Sequence, residues 1–199
     1  MATAGEIGAI VLTALWLFLP AFLANMAPVF VGGPPPIDGG RVWRDGRRIL
    51  GDGKTWRGLF LGPLVASAIV LGLSVVPPSE AGRAAGLVGW GSAAETFVFA
   101  YVIGFGALVG DAVKSFFKRR SGRDRGARWP GFDQLDFVAG GLLFAAAASA
   151  LWGLAGGNGA WFSERFTLER IVALVILTPG LHLLVNIVGY KLGKKDVPW

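Results

Sequence analysis

Acidic and basic residues stand close together where an apolar stretch ends, near residue 111. Asp111 interrupts that stretch, and an ionisable group inside an apolar span is costly and by default a functional candidate. On a helix, Asp111, Ser115 and Lys118 are spaced i, i+4, i+7 and share one face, with Arg119 beside them. Such groups bind phosphate and metal ions. The structural alternative for Asp111 is an ion pair with Lys114 or Lys118.

Two further aspartates open the next apolar stretch. Asp133 and Asp136 are spaced i, i+3 on one helical face, and Pro130-Gly131 just ahead lets that helix begin. With no cysteine and one histidine in the chain, oxygen atoms are the expected metal ligands. Together with Asp111, the pair predicts a site for Mg²⁺ shared with substrate phosphates. For Asp133 alone, helix capping is the alternative.

A second polar segment, GDGKTWRG, occupies residues 51–58. It is not a Walker A loop, because Arg48 stands where that motif needs its first glycine. Lys54 and Thr55, leading into a helix, can present an ammonium, a hydroxyl and backbone N–H groups to phosphate. The structural alternative is that Lys54 snorkels at a membrane interface.

The sequence alone does not decide the roles of three other polar residues. Asp38, followed by two glycines, fits either a turn or a fourth cavity carboxylate. Asn25, in the first apolar stretch, is as well suited to binding helix backbone as to binding substrate. His182 follows Pro179-Gly180 and is interpreted as a structural residue, hydrogen-bonded between helices.

The elements that must position these residues are membrane-spanning helices. The 199 residues are 53% hydrophobic with a positive mean hydropathy, which departs from a soluble domain. A span needs about 20 apolar residues. Five stretches qualify, at residues 7–31, 58–78, 96–117, 137–162 and 171–190. We therefore predict one all-α integral-membrane domain over residues 1–199, whose first stretch is a permanent helix because it lacks signal-peptide features.

The distribution of basic residues predicts the orientation, because Lys and Arg collect in cytoplasmic loops. All but three of the 19 Lys and Arg residues fall in residues 32–57, residues 111–136 or the C-terminal tail; the exceptions are Arg83, Arg165 and Arg170. We predict cytoplasmic loops at 32–57 and 118–136, an outer N-terminus and a cytoplasmic C-terminus. The expected location is the cell membrane, with a polar cavity that faces the cytoplasm and attracts a polyanion.

The combined pattern resembles a known family. GD-x3-S-x2-KR, then Asp, then PG, then D-x-x-D is similar to the signature of integral-membrane, CTP-dependent phosphatidate cytidylyltransferases. GKTW-x-G at residues 53–58 resembles a second motif of these enzymes. The residues that match the first motif are Gly110, Asp111, Ser115, Lys118, Arg119, Asp124, Pro130, Gly131, Asp133 and Asp136.

Departures from that signature point to one branch. Bacterial and eukaryotic members carry a His-Gly-Gly insert between PG and the aspartates and an Arg within D-x-x-D. Here Phe132 leads directly into Asp133, and Gln134 takes the place of the Arg. These features, the five spans and the ending NIVGYKLGKKDVPW resemble the archaeal branch, the CDP-archaeol synthases. No role is carried over from the missing His or Arg.

The resemblance implies cytidylyl transfer from CTP to a lipid phosphate, 2,3-bis-O-geranylgeranyl-sn-glycerol 1-phosphate in the archaeal branch, with release of pyrophosphate. It implies two Mg²⁺ ions held by Asp111, Asp133 and Asp136, with Lys118 also catalytic. The residues expected to bind the triphosphate are Lys54, Thr55, Ser115, Lys118 and Arg119. We expect no nucleic-acid partner, and the glycine-rich surface permits a homodimer. The alternatives are a phosphatidate cytidylyltransferase acting on acyl lipids, a phosphotransferase and an anion transporter.

Overall fold

The computed structural model of the chain describes residues 3–76, 79–80, 87–123, 129, 132–191 and 193. Several residues used above lie outside this part of the chain: Arg83, Asp124, Pro130, Gly131 and residues 194–199 of the C-terminal tail. The described residues form seven helices: α1 (Ala4–Met26), α2 (Pro28–Val31), α3 (Trp56–Ser74), α4 (Ala93–Arg120), α5 (Phe132–Leu154), α6 (Trp161–Arg165) and α7 (Leu168–Lys191).

Five of these helices, α1, α3, α4, α5 and α7, are long and apolar enough to cross a membrane. Large apolar side chains on their outer faces, such as Leu143, Leu151 and Ile176, are exposed, as expected where the solvent is lipid. In lipid the backbone must satisfy its own hydrogen bonds, which favours helices. The prediction of an all-α protein with five transmembrane helices is confirmed.

Two helices end before the apolar stretches that predicted them. Within the predicted span 7–31, α1 ends at Met26 and the short α2 begins at Pro28, a residue favoured in the first turn of a helix. Within the predicted span 137–162, α5 ends at Leu154. Gly156 then takes a φ of 87°, a left-handed conformation that glycine adopts easily, and α6 follows as a separate short helix.

Glycines bring α4 into close contact with α5, which is its most extensive neighbour. A Cβ added at Gly140 would overlap the carbonyl of Gly106, and one added at Gly110 would overlap the carbonyl of Asp136. Small residues let helices approach closely in lipid. Because Asp111 follows Gly110 directly, this approach brings its carboxylate to the same end of the helix pair as Asp136.

The opposite end of the bundle, where α4 begins, is filled by aromatic side chains. Trp161 of α6 stacks on Phe99 of α4 at 3.7 Å between ring centroids, and its Nε1 donates to the carbonyl of Trp90 at 2.9 Å. Trp161 and Phe99 are fully buried and Trp90 nearly so. This end is therefore a packed core, in contrast to the end that holds the aspartates.

Candidate active site

Lys114 lies at the centre of an ion cluster between α4 and α5. Its Nζ lies 3.0 Å from an oxygen of Asp111, 3.3 Å from one of Asp133 and 3.0 Å from one of Asp136. Since one ammonium contacts all three carboxylates, the contacted oxygens are within two hydrogen-bond lengths of one another. The structure thus brings together the three aspartates that were expected to converge.

Two more lysines complete the cluster, one from the loop before α3 and one from the next turn of α4. Lys54, in the loop before α3, pairs with Asp111, and Lys118 lies 2.9 Å and 3.1 Å from the two oxygens of Asp133. Asp133 also accepts the backbone N–H of Trp129 at 2.6 Å. Asp133 therefore takes part in the ion cluster and also binds the backbone of Trp129, and it lies in the first turn of α5 and not at its N-cap.

Asp136 is the most deeply placed carboxylate of the cluster, with 6% of its side chain exposed. Apart from the ammonium of Lys114, neither of its oxygens has a hydrogen-bond partner of normal geometry within the described part of the chain. A buried carboxylate with spare acceptor capacity is costly unless a cation or donor satisfies it. Asp136 is therefore well suited to binding a further cation.

The sequence indicates Lys114 only as an alternative partner of Asp111. Its position three residues after Asp111 indicated that contact, since residues i and i+3 are neighbours on a helix. Its contacts with Asp133 and Asp136 depend on how α4 packs against α5, and no spacing within one segment reports that packing.

A cavity of about 430 Å³, within the range of small-molecule sites, opens beside the cluster. Asp111 and Lys114 form part of its wall, whereas Asp133 and Asp136 are not among its lining residues. All five residues expected to bind the triphosphate line it: Lys54, Thr55, Ser115, Lys118 and Arg119. The cavity wall thus presents lysine and arginine side chains, while two of the three carboxylates of the cluster, Asp133 and Asp136, lie outside its lining. Such a wall suits a polyanion.

The hydroxyl groups in the cavity wall are engaged in local structure. Ser115 donates its hydroxyl to the carbonyl of Asp111 at 2.8 Å. Thr55 caps α3, where its side-chain oxygen accepts the N–H of Gly58 at 3.1 Å. The lysine ammonium groups, which carry formal charge and three donors each, are therefore the stronger anion-binding groups of the wall.

Asp38 orders the loop that carries Lys54. Its Oδ2 accepts the backbone N–H groups of Leu50 at 3.0 Å and Gly51 at 2.9 Å, and Arg48 donates to both of its oxygens at 2.8 Å and 3.2 Å. Burial opposes its charge, but the hydrogen bonds from Arg48 and the backbone lower the pKa of Asp38 well below its ordinary value. Of its two possible roles, the structure shows the turn: Asp38 does not line the cavity.

Asn25 and His182 lie where the polar cavity meets an apolar groove of about 250 Å³, and both residues line both spaces. The groove runs between α1, α5 and α7, and its other lining residues are Leu15, Leu19, Phe22, Met26, Phe137 and Leu181. His182, interpreted from the sequence as structural, has its ring 6.4 Å from that of Phe137. Neither residue could be assigned to this junction before the packing of α1 and α7 was known.

The donor chemistry of the cluster fits a hard cation such as Mg²⁺, which prefers carboxylate oxygens. In the part of the chain that the structure describes, no three His, Cys, Asp or Glu residues are arranged to hold a metal ion as they stand. Instead, the three aspartates share the ammonium of Lys114. The three carboxylates therefore fit Mg²⁺, on condition that the ammonium of Lys114 moves out of the position between them.

Comparison with known proteins finds relatives along nearly the whole chain. A family model described as CarS-like, CDP-archaeol synthase, matches residues 7–199. The CDP-archaeol synthase of Halorubrum lacusprofundi is 43% identical over 196 residues, which cover 97% of this chain and 99% of that protein. The CDP-archaeol synthase of Methanosphaerula palustris is 47% identical over 181 residues, or 91% of this chain and 99% of that protein.

The fold is also similar to that of a solved structure, described as an intramembrane enzyme for archaeal membrane lipids biosynthesis. The match covers 89% of this chain and 94% of the other, with 38% sequence identity and a TM-score of 0.64. Sequence and fold thus point to the same group of proteins.

Proposed function

Since this chain belongs to the CDP-archaeol synthase family, it transfers a cytidylyl group from CTP to an archaeal lipid phosphate, and we propose that the polar cavity beside Lys114 is where the transfer occurs. The observation that carries this proposal is the junction at Asn25 and His182. A nucleotide and a lipid can react only where a polar site touches an apolar one, and these two residues line both. We place the CTP in the cavity and the isoprenoid chains in the groove.

The reaction joins an oxygen of the lipid phosphate to the α-phosphorus of CTP. The bond from that phosphorus to the bridging oxygen breaks, and pyrophosphate leaves with the electron pair. A lipid phosphate is already ionised at neutral pH, so no strong general base is required. Lys54, Lys118 and Arg119 orient the triphosphate and offset the charge that develops on the leaving pyrophosphate.

We propose that Asp111, Asp133 and Asp136 hold Mg²⁺ during this reaction. When bound, Mg²⁺ neutralises charge on the phosphate oxygens and favours departure of the pyrophosphate. The spare acceptor capacity of buried Asp136 supports this assignment. Lys114 would then exchange its carboxylate partners for a phosphate group. Titration calorimetry with Mn²⁺, in the presence of CTP, tests the assignment without activity: we expect binding by the unmodified protein and at least tenfold weaker binding by Asp136→Asn.

We further propose that the cavity faces the cytoplasm. Two of the basic segments lie at the same end of the bundle, because Arg120 of α4 donates to the carbonyls of Arg47 and Arg48 in the loop before α3. Basic segments on one side indicate the cytoplasmic side. Labelling of single cysteines in intact cells tests this orientation. The homodimer stays a prediction, which the mass of the protein in lipid nanodiscs would test.

The activity is tested with purified protein in vesicles, CTP labelled at its α-phosphate, and lipid phosphates of two kinds. We expect labelled CDP-lipid and an equal amount of pyrophosphate with an unsaturated isoprenoid ether lipid phosphate, and less product with an acyl phosphatidate. Labelled anion that crosses sealed vesicles without any covalent product would instead favour the transporter alternative.

A pair of variants tests the division into two spaces. Lys54→Ala removes a cation from the cavity wall. Leu15→Trp puts a larger side chain into the groove and so reduces the space for a lipid chain. We expect the first to raise the KM for CTP about tenfold with little change for the lipid, and the second to do the reverse. Equal effects of either variant on both substrates would contradict the proposed division.

A further inference from the structure

The loop between α2 and α3 contains a short ordered hairpin, residues 41–49, which we call the basic hairpin. Trp43 donates its N–H to the carbonyl of Arg47 at 2.7 Å, and Ile49 donates to the carbonyl of Arg41 at 3.1 Å. Val42 and Arg48 pair as an antiparallel bridge. These bonds give the segment a defined shape, so its side chains project in fixed directions.

The basic hairpin is attached to the end of α4. Arg120 forms an ion pair with Asp45 at 3.1 Å and donates to two hairpin carbonyls. The ring of Trp43 meets the ring of Phe116 edge to face, with centroids 5.4 Å apart. The hairpin therefore keeps a fixed height relative to the transmembrane helices.

The outer surface of the basic hairpin carries unpaired positive charge. Arg41 and Arg44 are exposed, and neither contacts a carboxylate among the residues that the structure describes. The nearby acidic residues have partners already, since Asp38 binds Arg48 and Asp45 binds Arg120. These two arginines are therefore available to bind an external anion.

Apolar side chains lie beside this charge. Val42 is 58% exposed and Trp43 is 45% exposed, although both are residues that favour removal from water. On α4, Phe116 touches Trp43, and the nearby Val113 and Phe117 are about half exposed and lie within a predicted membrane span. The apolar surface of the hairpin is thus close to surface that faces lipid.

We propose that the basic hairpin is an interfacial anchor, in which Val42 and Trp43 enter the membrane surface while Arg41 and Arg44 bind the headgroups of anionic lipids. Tryptophan favours the membrane interface, and basic residues near an anionic membrane surface are attracted to it. A nucleic acid or an acidic protein would match the arginines. Binding of either partner, however, would not explain why the neighbouring apolar surface is exposed beside a transmembrane helix.

The anchor has a consequence for the cavity. Arg48, within the hairpin, holds Asp38, and Asp38 in turn holds the backbone of Leu50 and Gly51, just ahead of Lys54. A hairpin fixed at headgroup level therefore fixes the cavity wall at the same level. This inference concerns the membrane contact of the loop and stands whether or not the proposed catalytic residues are correct.

The absence of cysteine allows a direct test with one introduced probe. Val42→Cys, labelled with an environment-sensitive fluorophore, is compared in vesicles of phosphatidylcholine with and without phosphatidylglycerol, using acrylamide as a neutral quencher. We expect a blue-shifted emission and weaker quenching when phosphatidylglycerol is present, and a return towards the aqueous signal at high salt. Ser163→Cys in α6, at the other end of the bundle, is the control and should respond to neither lipid.

The charge requirement is tested by adding Arg41→Gln and Arg44→Gln to the probe variant. We expect the affinity of the hairpin for anionic lipid, read from the probe signal, to fall about fivefold for each arginine removed. Less phosphatidylglycerol should also remain with the protein after detergent exchange. Thermal unfolding and cytidylyl transfer in detergent should be unchanged, because both side chains are exposed and lie outside the cavity. A probe signal that is equal in both vesicle types, or that survives both substitutions, overturns the proposal.

Discussion

The two ends of the helix bundle both enclose charged side chains, but they satisfy them in different ways. At the cavity end, Lys114 contacts three carboxylates on flexible side chains from two helices. At the other end, Arg165 has one carboxylate partner in the described part of the chain, the half-exposed Glu164 at 3.3 Å, and it also donates to the carbonyls of Gly89 and Trp161, with its guanidinium 4.8 Å from the centre of the Trp161 ring. Side-chain pairs can exchange partners with a ligand, whereas backbone carbonyls stay in place. We infer that the first arrangement serves chemistry and the second serves stability.

The largest effect is expected from Asp136→Asn at the cavity end. The change removes a buried negative charge with almost no change in volume, so kcat should fall about 100-fold or more, as for loss of a group that stabilises transition-state charge. The thermal unfolding midpoint should change little, because Lys114 keeps Asp111 and Asp133 as partners while the cost of burying the Asp136 charge is removed. Asp45→Asn, at an ion pair outside the cavity, is the matched control and should keep most of its activity. Normal turnover in Asp136→Asn would remove this residue from the site.

At the opposite end, Arg165→Gln should lower stability and leave turnover unchanged, the reverse of what is expected for Asp136→Asn. The substitution leaves the carbonyl of Gly89 and the ring of Trp161 without their partner, which should lower the free energy of unfolding by about 2–3 kcal/mol. The kcat of the folded fraction should not change, since α6 is far from the cavity along α4. Thermal unfolding and active-site titration on one sample measure both quantities. Lost turnover with full stability would show that the two ends are coupled.

Asp38 is intermediate between the two ends of the bundle. Its buried carboxylate lies near the cavity, but backbone N–H groups hydrogen-bond to it. Asp38→Asn should lower stability at neutral pH by about 2 kcal/mol, since an amide cannot accept all the hydrogen bonds of the carboxylate. The pKa of Asp38 is lowered by folding, so its contribution is present above its ordinary value of 3.8 and is lost as the pH falls through the lowered value. The variant should therefore lose less stability than the unmodified protein between neutral and strongly acidic pH. Parallel stability curves would contradict this role.

The fold could be predicted from the sequence because a bilayer requires apolar stretches of nearly fixed length, and the chain contains five. The convergence of Asp111, Asp133 and Asp136 could also be predicted, since helical spacing places each of them at a membrane boundary. The central position of Lys114 could not, because it depends on how closely α4 and α5 approach at Gly110 and Gly140.

A turn at Asp38 was one of the two roles that the sequence offered, but its hydrogen-bond partners and the junction at Asn25 and His182 could not be predicted. Asp38 binds backbone N–H groups that follow it by twelve and thirteen residues, in a loop without periodicity. Asn25 and His182 stand on α1 and α7, which are far apart in sequence, and become neighbours only when the helices pack. Contacts within one helix can be predicted from spacing, whereas contacts between segments need the structure.

The smallest effect is expected from Ser115→Ala, which compares two residues on the same face of α4. The hydroxyl of Ser115 is occupied by the carbonyl of Asp111, whereas the ammonium of Lys118 pairs with Asp133 and can turn to a phosphate. Loss of the hydroxyl should change kcat/KM for CTP by no more than about threefold, which corresponds to about 0.6 kcal/mol. Lys118→Ala should lower it at least tenfold. If the two variants lose equal activity, the hydroxyl must leave its helix carbonyl to bind substrate, and partner exchange at the cavity end would then extend beyond the ion pairs.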